Sequence, residues 1–375
     1  MIKLQMVDLV SQYHKIKPEV DAAVMDVMEK AMFIGGEKVK SFKENLESYL
    51  GIKHVIPCAN GTDALQIAFM ALDLQPGDEV IVPAFTYVAT AEVIALLKLK
   101  PVMVDVYPDD FNINIEAIKE AITPKTKAIV PVHLFGQCAN MEAIMKIAAE
   151  HKLFVVEDNA QAIGADFYYS DGKTVKAGTI GHIGCTSFFP SKNLGCYGDG
   201  GAMFTQDETL GKKITMIANH GQSVQYYHDV VGVNSRLDSI QAAILDIKLK
   251  HLDEYAAARV KAADYYDNRF SGHPDIITPV RNSHGNHVFH QYTLRITNGK
   301  RDALKEFLSL SQIPCAIYYP LPLYDQKAFR SFSGSFSYLH VTDILCKQVL
   351  SLPIHTELTE EMQDLIIDKV LEFLS

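Results

Sequence analysis

One lysine, Lys192, stands just past the apolar run of CTSFFPSKNLGCYGDGG (185–201), and four glycines follow it. An amine close to buried surface is partly desolvated, which favours its neutral, nucleophilic form. Ser187 and Ser191 flank it with hydroxyls. In FVVEDNAQAIG, Asp158 falls where an apolar run leaves the core, and Gln161 follows three residues later. A carboxylate at such a place is costly unless it meets a cation. CANGTDALQ leads through Asn60, Gly61 and Thr62 straight into a helical pattern. Glycine there permits close backbone approach, and the free N–H groups of a helix start carry partial positive charge, so the stretch reads as a phosphate seat. PAFTYVAT offers a flat ring, Tyr87 first and Phe85 second. Each feature alone has a plain structural explanation: a snorkelling lysine, an N-cap, a half-buried aromatic.

Taken together they ask for one ligand that is anionic at one end, flat and aromatic, basic at a ring nitrogen, and able to condense with an amine. Pyridoxal 5′-phosphate meets all four demands. Lys192 would condense with its aldehyde and shuttle a proton, and Asp158 would stabilise the protonated ring nitrogen. Gly61, Thr62 and Ser187 would hold the phosphate, and Tyr87 would stack on the ring.

The elements that must position these groups follow a strand–helix alternation between about 54 and 210. Seven short apolar runs (HVIPCAN, DEVIVPAF, KPVMVDV, KAIVPVHLFG, LFVVEDNA, GCTSFFPS, GAMFTQ) are separated, in the first part, by helical-period segments. Continuously apolar strands of this kind predict a largely parallel α/β sheet covered on both faces, with ligands at the carboxyl ends of its strands. Beyond a polar, tyrosine-bearing loop, SRLDSIQAAILDIKLKHLDEYAAARVKAADYYDNRF predicts one long helix from near Ser235 to before Gly272. HQYTLRI and CAIYYP read as strands, and RDALKEFLSL and EEMQDLIIDKVLEFL as helices. The expected division is a large cofactor-binding domain over 1–250 and a smaller α+β domain over 251–375.

The chain has 375 residues, 48% hydrophobic, with a formal net charge of −10. That is enough for a large core, and no basic stripe suggests nucleic-acid binding. Six scattered cysteines show neither metal-ligand spacing nor a disulfide framework, which fits a reducing cytoplasm and no bound metal. The N-terminus lacks the layout of a signal peptide, and no apolar stretch approaches the ~20 residues of a transmembrane helix. His133, His220 and His355 are expected to be structural.

The motif series CANGTDALQIA, VPAFTYVATAE, VVEDNAQAIGA, TSFFPSKNLGCYGDGGA and GVNSRLDSIQAAIL, with IYYPLPLY and SLPIH further on, resembles the DegT/DnrJ/EryC1/StrS family of sugar aminotransferases over roughly residues 5–355. The resemblance implies fold type I of the pyridoxal-phosphate enzymes, with a seven-stranded sheet. It also implies a homodimer with shared active sites and transfer of an amino group, usually from glutamate, to a ketone on a nucleotide-linked sugar for surface polysaccharide or glycoconjugate synthesis. It places Asn234 on the cofactor phosphate of the neighbouring subunit and Arg236 on the substrate side. KNLGCYGDGG is similar to the enzymes that aminate C3, nearest to those acting on UDP-2-acetamido-2-deoxy-3-dehydroglucuronate. One departure stands out: Tyr318, Tyr319 and Pro320 occupy the place expected for His–Tyr–Pro near the sugar, so a dTDP-linked 3-keto-6-deoxyhexose remains open. Other readings are a C4 aminotransferase, a sugar dehydratase (whose relatives replace the lysine with histidine) and a non-catalytic regulatory protein.

Overall fold

The structure, a computed structural model, describes residues 4–335 and 339–375. All seven apolar runs become strands of one sheet: β1 (His54–Cys58), β2 (Glu79–Pro83), β3 (Lys100–Val104), β4 (Thr126–Ile129), β5 (Phe154–Asp158) and, after the small hairpin β6 (Asp166–Tyr168)–β7 (Thr174–Lys176), β8 (Ile183–Ser187) and β9 (Gly201–Thr205). Their order is β1-β9-β8-β5-β4-β2-β3. The pairs from β3 across to β8 are parallel, and β9 alone runs the other way. The start of β9 therefore lies beside the ends of β1 and β8, with Gly201 paired to both Cys58 and Ser187.

Seven helices accompany this part of the chain: α1 (Leu9–Lys30), α2 (Gly36–Leu50), α3 (Gly61–Ala71), α4 (Ala89–Leu96), α5 (Ile115–Ala121), α6 (Met141–His151) and α7 (Glu208–Ala218). Strand β2 shows why its residues are apolar without alternation. Val80 and Val82 pack with α3 and α4 on one face of the sheet, while Ile81 packs with α5 and α6 on the other. Successive side chains of a strand point to opposite faces, so a strand covered on both sides must be apolar throughout.

A second hairpin, β10 (Gln222–Val224) with β11 (Tyr227–His228), follows α7. The expected single helix from Ser235 is instead two, α8 (Ser239–Leu249) and α9 (Leu252–Phe270). Its start moves because Ser235 is used elsewhere: its hydroxyl donates to Asp63 and accepts from the backbone of Ala59. The break falls at His251, whose backbone leaves the helical region (φ −102°, ψ 0°).

Tyr266 and Phe270 of α9 pack on a three-stranded antiparallel sheet of β12 (Ile276–Ile277), β13 (Tyr292–Ile296) and β14 (Val349–Leu352). Helices α10 (Arg301–Leu310), α11 (His340–Gln348) and α12 (Glu360–Leu374) complete this region. CAIYYP, expected as a strand, makes only an isolated bridge from Ala316 to Ser351, because the chain then turns into the pocket described next. Among the described residues no helix is long and apolar enough to cross a membrane.

Candidate active site

A pocket of about 640 Å³ opens at the carboxyl ends of β1, β2, β5 and β8. That volume suits a small-molecule ligand. It is lined by Gly61, Thr62, Tyr87, Asp158, Gln161, Ser187, Lys192, Tyr318 and Tyr319, which brings nine of the eleven residues singled out from the sequence into one cavity.

The floor at one end is the start of α3. Asn60 caps it, its side chain accepting from the N–H of Asp63 at 2.8 Å. Gly61 is needed for close approach: a Cβ there would lie 2.7 Å from the Cβ of Ser187. Helix start and strand end thus meet, and first-turn N–H groups, the Thr62 hydroxyl and the Ser187 hydroxyl face the same space. Such an arrangement can seat an anion.

Asp158 is 5% exposed. Its Oδ2 accepts from the Thr90 hydroxyl at 2.7 Å and its Oδ1 from the N–H of Ala160 at 3.2 Å. Its backbone is held from the neighbouring segment, donating to the Pro131 carbonyl and accepting from the N–H of His133. One residue earlier, Glu157 points to the other side, as alternation requires. It accepts from His133 Nε2 at 2.8 Å and from the N–H groups of Gly178, Ile180 and Gly181. His133 Nδ1 accepts from Ala139, so the imidazole proton sits on Nε2. His133 is therefore a strut behind the site and does not line the pocket.

Lys192 lies on a loop that folds back after β8. Its N–H donates to the Phe189 carbonyl, Cys196 N–H closes onto Phe188, and the Asn193 side chain donates to the Val288 carbonyl. Desolvation pushes its amine down to about 8, with the Asp158 charge opposing the shift. At pH 7 about a tenth of the amine is then neutral, far more than for an ordinary lysine.

Gln161 bridges two walls: its Oε1 accepts from Phe135 N–H at 2.7 Å and its Nε2 donates to the Tyr319 hydroxyl at 3.2 Å. Burial raises the Tyr319 phenol, which keeps it neutral. Phe85 is 1% exposed and packs edge-on against Tyr319, behind the pocket, whereas Tyr87 is 56% exposed at its mouth. Of the two rings, only Tyr87 reaches the cavity.

Asn234 and Arg236 are not brought into this pocket. Both are exposed, flanking the buried Ser235 that ties the segment beneath α3. An extended chain that turns Ser235 inward turns its neighbours outward. The polar lining residues Thr86, Asp199, His290 and Gln291 escaped the sequence reading, and so did Thr90, which touches Asp158 without lining the cavity. The His290 ring is buried, its Nδ1 has no hydrogen-bond partner among the described residues, and burial together with the nearby Lys192 and Arg259 charges holds it well below the usual imidazole range. Its sole signal in the sequence is a histidine within the apolar stretch HVFHQY.

Comparison with known proteins agrees with this geometry. The profile of the DegT/DnrJ/EryC1/StrS aminotransferase family matches residues 14–371. The chain is 45% identical over 374 residues to a pleiotropic regulatory protein of Geobacillus stearothermophilus, covering 99% of each. It is 45% identical over 352 residues to the UDP-2-acetamido-2-deoxy-3-oxo-D-glucuronate aminotransferase of Pseudomonas aeruginosa, covering 94% of this chain and 95% of the other. The crystal structure of NtdA from Bacillus subtilis with bound cofactor PMP superposes with a TM-score of 0.90 at 30% identity, covering 100% of this chain and 86% of that one.

Proposed function

The chain belongs to the DegT/DnrJ/EryC1/StrS aminotransferase family, and on that premise we propose that it transfers an amino group, with glutamate as donor, to the 3-keto group of a nucleotide-linked sugar. The family is pyridoxal-phosphate dependent, and the fold is the type I architecture of such enzymes. The observation that carries the reading is that one cavity holds a depressed-pKa amine, a buried carboxylate and an anion seat at a helix start. That donor set fits the cofactor: Gly61, Thr62 and Ser187 for the phosphate, Asp158 and Lys192 for the ring nitrogen and the aldehyde, Tyr87 and Gln161 along the ring. When bound, pyridoxal phosphate supplies an aldehyde that carries the amino group and a ring that withdraws electrons.

The chain's own residues do the rest. Asp158, fixed by Thr90 and Ala160, holds a proton at the ring nitrogen. The Lys192 amine, neutral in part, takes a proton from the donor's α-carbon and returns one at C3 of the sugar. Tyr318 and Tyr319 offer neutral hydroxyls on the sugar side. The dry cluster of Phe85, Phe111 and Phe135 behind them limits water.

Asn234 and Arg236 act in a second subunit. The hairpin before them exposes Val224, Tyr226, Tyr227 and Val231, an apolar surface suited to a neighbouring copy. We place the enzyme in the cytoplasm, where all six cysteines stay free thiols. The experiment is direct: the purified protein should show a visible absorbance band that borohydride abolishes, and among nucleotide sugars its aminated form should regain that band only with a 3-keto one. Failure of every such sugar, with cofactor still tightly bound, would favour the second reading, a regulatory protein, which the name of the Geobacillus relative suggests.

A further inference from the structure

Lys248 is a buried cation that the reaction does not use. It lies on α8, is 1% exposed, and has no carboxylate among its described partners. Its Nζ donates to the carbonyl oxygen of Gly195 at 2.5 Å and stands 5.1 Å from the centroid of the Tyr197 ring. Keeping an ammonium in so dry a place is costly, and a core lysine without a carboxylate is uncommon.

What it holds explains its place. Gly195 ends the turn that carries Lys192, and the turn is folded tightly on itself. A Cβ on Gly195 would lie 2.3 Å from the Pro190 carbonyl oxygen and 2.9 Å from that of Phe189. Cys196 closes the turn from both its atoms, N–H to Phe188 at 2.8 Å and Sγ to the same carbonyl at 3.0 Å. Asn193 fastens it to Val288, two residues before His290. These ties leave the Gly195 carbonyl turned toward α8, where Lys248 meets it. A buried carbonyl needs a donor, and here the donor is on a different element.

We propose that Lys248 is a positioning residue for Lys192: by fixing the Gly195 carbonyl it sets the turn that aims the Lys192 amine into the pocket. This rests on Lys192 being the residue that joins the cofactor. In that step the Lys192 nitrogen forms a C=N bond to the aldehyde carbon, and the aldehyde oxygen leaves as water with both amine hydrogens. The linkage is sensitive to where the nitrogen stands, so the turn's placement is read directly by its rate.

The test uses the full-length protein, stripped of cofactor and resupplied with pyridoxal phosphate, with the visible band followed in time and against pH. Lys248→Met, which keeps the apolar stem out to the ε-carbon position but lacks a donor, should slow linkage about tenfold. It should also move the band's pH midpoint by about half a unit or more. Lys248→Arg, which keeps a charged donor, should remain within about threefold of wild type. Lys248→Gln, one atom shorter, should fall between and serves if the Met variant does not fold. A donor-less or shortened variant that folds and links at the wild-type rate and midpoint overturns the proposal, even with a lowered melting temperature, because the role is then purely structural. Lys192→Ala is the control: a surviving band there would sink the reading of Lys192 itself and leave the Lys248 result to be judged apart.

Discussion

Asp158 and Asn234 both carry sequence marks of cofactor contacts, and the fold treats them in opposite ways. Asp158 is 5% exposed, with each oxygen engaged and its backbone clamped from the adjoining segment. Asn234 stands exposed, beyond a hairpin of outward valines and tyrosines, outside the pocket its own chain forms. The inner wall from Asp158 to Lys192 is complete within one chain, and burial there tunes an amine to about 8. On the hairpin side Asn234 and Arg236 stand exposed and outside that pocket. The difference teaches that a group changing protonation state must be desolvated inside its own fold, while a group that only recognises charge need not be and, on the proposed dimer, would be lent by a second copy.

The contrast can be broken or sharpened by experiment. On the inner wall, Lys192→Ala should lower kcat by about 10⁴-fold or more and remove the visible band, because no other pocket amine can replace it. Asp158→Asn keeps the shape and removes the charge. It should lower kcat by roughly 10²–10³-fold with a smaller change in KM, measured in steady state with a keto-sugar and glutamate. For the hairpin side the sharpest test is mixing. Lys192→Ala and Asn234→Ala chains, each nearly inactive alone, should recover about a quarter of wild-type activity after random subunit exchange, since half the dimers then hold one intact site. No recovery would mean that Asn234 serves its own chain or none.

A smaller effect is expected from pH. Desolvation lowers the Lys192 amine from its ordinary 10.5 to about 8, so the neutral, linking form grows as pH rises through 8 and is lost below it. The rate at which cofactor-free protein takes up pyridoxal phosphate should therefore fall up to about tenfold per unit below that point. A midpoint near 10.5 would show that the amine is not desolvated. The smallest change is Thr90→Val, which removes the donor on Asp158 Oδ2 with little change in shape. About tenfold in kcat is expected, with Thr90→Ser restoring it.

Much was legible in the sequence because it is local. Each of the seven strands announces itself as a short apolar run, and the type of each neighbouring segment follows from its own period. Asp158, Gly61 and Ser187 could be singled out because each sits at a strand end or helix start, where open α/β sheets gather ligands, and Lys192 because it follows the end of an apolar run. Tertiary structure decided what depends on distant partners. The ranking of Tyr87 above Phe85 was already a sequence reading; the packed chain supplies its reason, because Phe85 is walled in by Phe111, Phe135 and Tyr319. Thr90 meets Asp158 across 68 residues, and Lys248 meets Gly195 across 53. The late start at Ser239 depends on where Ser235 finds its bonds. Periodicity records which face of an element is dry; only the packed chain determines which polar groups meet there, because each must find its partner among residues far away in sequence.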